Sequence, residues 1–112
     1  MTHSISSVHD KLIFLPVGSV LGSRTENQTQ NSTDWVDYMP IEGRFSTAEV
    51  TGSYGNGEML PSPLTLFSDG SPFSTARTSN GDTLDVRLFS GMLQFRTDNA
   101  ATGLSSATAT VV

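Results

Sequence analysis

TLDVRLFSGMLQFRT, residues Thr83 to Thr97, decides how this chain reads. Apolar and polar residues alternate on both sides of Ser90-Gly91, which is the period of a half-buried strand, and Ser90-Gly91 has the length of a two-residue hairpin turn. That turn sets Phe89 opposite Met92, Leu88 opposite Leu93, Arg87 opposite Gln94, Val86 opposite Phe95 and Asp85 opposite Arg96. One face then carries Leu84, Val86, Leu88, Leu93 and Phe95, all apolar, and the other pairs Asp85 with Arg96. A one-residue slip would turn the charges inward, so the register is strongly specified.

Upstream, Asn80-Gly81 is a second hairpin signal. A two-residue loop would set Arg77 opposite Leu84 on the apolar face. A three-residue loop, Ser79-Asn80-Gly81 with Gly81 left-handed, sets Ala76 opposite Leu84 and turns Arg77 outward beside Thr83 and Asp85, and this is the expected arrangement. Phe73 to Thr78 is then a strand, reached through the Asp69-Gly70 turn from another at Leu64 to Phe67, which makes a meander from Leu64 to Thr97. Trp35 to Met39 and Arg44 to Val50 read as strands joined by Pro40-Ile41-Glu42-Gly43. The inner face of the second stays open, because Phe45, Thr47 and Glu49 alternate with Ser46, Ala48 and Val50. Gly52 to Gly57 reads as a flexible loop, Asp98 to Ser106 as another, and Ala107 to Val112 as a short strand.

The first third reads differently. Met1 to Asp10 is polar and without period, so it is expected to be an arm that orders only on a partner, outside a single domain spanning residues 11–112. Lys11 to Val17 reads as the first strand. Leu12, Ile13, Phe14 and Leu15 put apolar side chains on both of its faces, which calls for cover from the core and from something else. Ser23 to Asp34 is rich in Ser, Thr, Asn and Gln and reads as a long loop. No window of helical length carries a helical apolar period free of Gly, Pro or Thr. Eight or so short strands in one domain each need a face to bury, and the expected fold is an all-β sandwich of jelly-roll type.

Composition narrows the function classes. The chain has 112 residues and 12.0 kDa, enough for one core. Only 15% of residues are charged, too few for a charge-driven disordered chain or a coiled coil. Six basic residues against 11 acidic ones give a net charge of -5, with Lys11 the only lysine, which argues against nucleic-acid or anionic-membrane partners. The absence of cysteine removes disulfides, thiol chemistry and Cys zinc sites. The longest apolar run, Leu12 to Leu21, is broken by Pro16 and Gly18 and has about half the length that crosses a bilayer.

Catalytic chemistry finds no support in the residue pattern. His3 and His9, the only histidines, lie in the polar arm, where neither a triad nor a metal site has a scaffold. Asp34 and Asp37 flank Trp35 but stand three apart on a strand, on opposite faces, so they do not form a glycosidase pair. Asn80, Asp82 and Asp85 lack a calcium-loop pattern, and Gly55-Asn56-Gly57 does not lead a strand into a helix. No enzymatic activity, cofactor or metal is expected. Trp35 is the only tryptophan, and a domain of this size generally buries it. In the alternative reading Trp35, Tyr38 and Tyr54 are exposed and form a sugar-stacking platform or an interface anchor.

The small size, the 16 Ser and 14 Thr among 112 residues, the lack of cysteine, the single lysine, the polar arm and the small-residue C-terminal strand together resemble the capsid decoration proteins, the cement or staple class, of tailed phages. The resemblance is one of overall style and transfers no site residue. It implies a structural virion protein, made in the host cytoplasm and placed on the capsid surface, that bridges major capsid subunits and self-associates on the lattice as a dimer or trimer. Leu12, Ile13, Phe14 and Leu15 are the expected contact residues. A carbohydrate- or receptor-binding sandwich module of a phage tail or secreted protein is the alternative.

Overall fold

The structure, a computed structural model, describes residues 13–28, 34–70, 72–98 and 102–112. The expected arm at residues 1–10 and the candidate contact residue Leu12 lie outside them. Eight strands follow one another: β1 (Val20–Gln28), β2 (Val36–Pro40), β3 (Thr47–Tyr54), β4 (Leu64–Phe67), β5 (Ser74–Arg77), β6 (Thr83–Phe89), β7 (Met92–Thr97) and β8 (Leu104–Val111). They form two antiparallel four-stranded sheets, one in the order β1-β8-β3-β4 and the other in the order β2-β7-β6-β5. The described residues contain no α-helix.

The second sheet follows its turn chemistry. β6 and β7 pair Phe89 with Met92, Val86 with Phe95 and Asp85 with Arg96. Ser90 and Gly91, at φ 51° and 77°, both adopt the left-handed conformation of a two-residue turn whose twist suits the flanking strands. β5 pairs Ala76 with Leu84 and Arg77 with Thr83, the register of a three-residue loop, and Gly81 stands at φ 95°. Leu84, Val86, Leu93 and Phe95 are all fully buried. The facing sheet contributes smaller side chains, Ala48 and Val50 from β3 and Ala107, Ala109 and Val111 from β8, with Leu64 and Leu66 from β4. The open question at β3 is thereby closed: Ala48 and Val50 point inward, and Thr47 and Glu49 do not.

The first third departs from its sequence reading in both directions. Residues 13–19 form no strand. Phe14 makes only an isolated bridge to Arg44, and Pro16, which has no N–H, opens a turn in which Ser19 N–H donates to the Pro16 carbonyl. Of the described members of the apolar run, Leu15 packs against the core, in the space left by Gly43, where a Cβ would collide with the Leu15 side chain. Ser23 to Gln28, the first half of the polar stretch expected to loop out, instead belong to the nine-residue β1, an edge strand paired with β8, while residues 29–33 of that stretch lie outside the described residues. Beyond Leu21, Ser23, Thr25 and Asn27 are exposed, so the segment never needed the apolar alternation by which strands are read. β8 begins at Leu104, three residues before the expected start, and β3 runs to Tyr54, into the expected loop.

Candidate functional site

The two tyrosines are not on the surface. Tyr38 is 1% exposed and Tyr54 0%. Tyr38 points inward from β2 and donates its hydroxyl to the Glu26 carbonyl of β1 at 3.0 Å, while the Arg24 guanidinium covers its ring and donates to its carbonyl. Tyr54, at the end of β3, donates to the Arg77 carbonyl of β5 at 2.9 Å. Each phenol therefore ties one sheet to the other, Tyr38 near one edge of the sandwich and Tyr54 near the opposite one. Burial raises both phenols above their ordinary value of 10.0. This corrects the expectation of an exposed platform made of Trp35, Tyr38 and Tyr54. The alternation in Trp35-Val36-Asp37-Tyr38 held the signal: Asp37 faces solvent with Trp35, two residues before it, and Tyr38 goes in, after which a register shift between Asp37 and Met39 lets Met39 go in as well.

Trp35 is also not a core residue. It lies half-buried just ahead of β2, on the outer face of the second sheet, edge-on to Phe73 with ring centroids 5.8 Å apart. Arg87 and Arg96 bring their guanidinium carbons to 4.3 and 4.6 Å from the indole centroid. Arg87 also covers Phe89 at 4.5 Å, and Arg96 covers Phe73 at 4.6 Å. Phe73 and Phe89 are 44% and 53% exposed. Two polar rows cross the strands beneath these rings. In one, Gln94 donates its amide to Asp37 at 2.7 Å and accepts from Arg87 Nε at 2.9 Å. In the other, Asp85 accepts from Arg96 Nε at 2.7 Å and from the Thr75 hydroxyl at 2.6 Å. The face ends in a shallow depression of about 250 Å³ lined by Thr83, Asp85, Arg96, Thr97 and Asp98. There the Thr83 N–H donates to Asp98 at 2.8 Å and holds its carboxyl below the ordinary carboxylate range.

The exposed apolar side chains gather at one end of the sandwich. The strand pairings place the start of β1, the end of β8 and the start of β3 together, and the end of β2, the start of β7 and the end of β6 together. Glu42 N–H donates to the Leu21 carbonyl, which joins these two ends into one. Among the described residues, Ile13, Phe14, Val17, Val20, Phe89 and Val112 are the exposed large hydrophobics toward this end, while Phe73 lies further along the outer face of the second sheet against Trp35 and Arg96, and Met59 lies at the opposite end. Main-chain bonds hold the N-terminal members in place: Leu15 N–H donates to the Arg44 carbonyl, Gly18 N–H to that of Val111, and Val111 N–H to that of Ser19. Of the expected contact residues, Ile13 and Phe14 are 47% and 51% exposed, while Leu15 is turned toward the core.

The described residues hold no cluster of three or more His, Cys, Asp or Glu side chains in a ligating arrangement. No protein-family model, curated protein or solved structure matches the chain.

Proposed function

We propose that this chain is a structural protein that decorates and stabilises a viral capsid by bridging its subunits, and that it docks through the apolar end. The observation that carries the reading is the gathering of six exposed apolar side chains, among the described residues, toward one end of a small domain. Scattered exposed hydrophobics are normal, but a contiguous apolar patch marks a contact surface. The backbone of residues 13–19 is pinned to the sandwich by hydrogen bonds, so docking there costs little ordering entropy. The fold is read as a jelly-roll variant. β1 with β8 and β2 with β7 pair the two halves of the chain as a rolled ribbon does, whereas β3 with β4 and β5 with β6 remain local hairpins.

The alternative, a carbohydrate- or receptor-binding module, has less to stand on, because both tyrosines are buried and two guanidinium groups already crowd the Trp35 ring. The deciding experiment uses shells assembled from the major capsid protein of the same virus. The chain should co-sediment with them and raise their disassembly temperature. The variant Phe14→Ser with Val17→Ser should bind about tenfold or more weakly while keeping its β circular dichroism. Failure of the unaltered chain to bind those shells would overturn the proposal.

A further inference from the structure

The outer face of the second sheet differs from a simple continuation of the apolar end. From Phe89 to Thr83 along β6 is six residues (89 − 83), about 20 Å of extended chain, and that length carries aromatic rings interleaved with guanidinium groups. Trp, Phe and Arg are the residue types that concentrate at the energetic centres of protein interfaces. The outer face of the first sheet offers a control within the same molecule, since its outward positions are mainly hydroxyls: Ser23, Thr25, Thr51, Ser106, Thr108 and Thr110.

Arg87 gives the strip its chemistry. Its Nε is committed to Gln94, its carbon lies over Trp35 and Phe89, and among the described residues its terminal nitrogens make no hydrogen bond or ion pair. Gln94 stands between Arg87 and Asp37, so the nearest outward carboxylate of that row is bound to the amide and not to the guanidinium. Arg96 in the next row is already paired with Asp85. A guanidinium held over two aromatic rings, with no partner for its outer nitrogens among the described residues, is set up to take a carboxylate in a two-point contact.

We infer that this strip binds an extended acidic segment of a partner protein, with a Glu or Asp carboxylate on Arg87 and apolar side chains against Phe89, Trp35 and Phe73. A sugar is the less fitting occupant. Stacking needs an open ring face, whereas Trp35 is crowded by two guanidinium groups and meets Phe73 edge-on at 65°. The inference concerns the strip alone and does not depend on the capsid reading.

Trp35 is the only tryptophan in the chain, so its fluorescence reports directly from the strip. The full chain is titrated with the capped peptide Glu-Phe-Glu-Phe-Glu, with its neutral twin Gln-Phe-Gln-Phe-Gln, and with maltohexaose. The acidic peptide should give a saturable change below about 1 mM, with the neutral twin at least about tenfold weaker. Arg87→Gln should cost the acidic peptide about tenfold, and Phe89→Ser should weaken both peptides, while Thr51→Ala on the other sheet leaves the titration unchanged. Equal binding of the two peptides to the unaltered chain, no saturable change with the acidic one, or binding that survives Arg87→Gln would each overturn the inference. A response to maltohexaose with both peptides silent would overturn it in favour of a sugar-binding face.

Discussion

The two sheets hold four strands each and face the same core, yet they are built on different principles. In β2-β7-β6-β5 the interior is made by large side chains, Leu84, Val86, Leu93 and Phe95, carried on strands that tight turns connect. In β1-β8-β3-β4 the central strands bring Ala48, Val50, Ala107 and Ala109 inward, and β8 stands between two strands that lie far from it in the chain. The same two strands also bury Tyr54 and Leu104, and at one point between them there is no room for a side chain at all. At Gly52, opposite Ala107, a Cβ would overlap the Ser106 carbonyl. One sheet thus depends on the fit of its side chains and the other on the approach of its main chains, which implies that they fail under different substitutions.

The most damaging change should be Val86→Asp, which puts an unpaired charge among fully buried neighbours and should cost about 4 kcal/mol or more in a urea titration. A loss of under about 1 kcal/mol would mean that side-chain packing does not govern that sheet. Next comes Gly52→Ala, the addition of a single methyl group to the other sheet. The clash with backbone and the φ of 153° should together cost about 2–3 kcal/mol, far more than the about 1 kcal/mol expected for Gly91→Ala, where the added Cβ meets nothing. Similar losses at the two glycines would break the contrast between the sheets.

Tyr38→Phe and Tyr54→Phe each remove one hydrogen bond between the sheets and should cost about 1 kcal/mol. The same phenols carry a pH signature. Because burial raises their folded-state pKa above 10.0, the native state keeps protons that the unfolded chain has already lost. Their contribution is whole below pH 10 and falls as pH rises from there through the folded values. The double variant should lose that alkaline dependence, read as urea midpoints on either side of pH 10. Smallest of all, Asp85→Asn should cost well under about 1 kcal/mol, since its ion pair with Arg96 is partly exposed and the Thr75 hydroxyl remains within reach.

The same contrast explains what the residues disclose when read alone. The register of β5, β6 and β7 is set by Asn80-Gly81, Ser90-Gly91 and the opposed charges of Asp85 and Arg96, all within a few residues of what they determine. β1 has no such local signature. Leu21 is its one buried apolar residue, and what makes it a strand is the ladder to β8, some 85 positions away at Ser23 and Thr108. The run around Leu12 to Leu15 was apolar enough to suggest a strand, but Pro16 and the turn at Ser19 end it. Of the surface features, the exposure of Ile13 and Phe14 follows from an apolar run too rich for a small core. The arginine-and-ring strip could not be read in advance, because Phe73, Arg87 and Arg96 meet Trp35 only once β2 is laid beside β7, and Phe89 joins them through Arg87.

The place of β8 also bears on how the chain is made. During synthesis the β5–β6–β7 meander can close as soon as Thr97 has left the ribosome, but β1, made first, and β3 must both wait for the strand that separates them. Until Val111 emerges, β1 has no complete strand to pair with, only its contacts with the β2 region, and Ile13, Phe14, Val17 and Val20 lack the anchor that Val111 supplies through Gly18 and Ser19. Unpaired edges beside exposed apolar groups invite intermolecular pairing. A nascent chain stalled before β8 should therefore be a poor soluble product and a good substrate for chaperones, and the apolar end becomes an ordered surface only once β8 has been made.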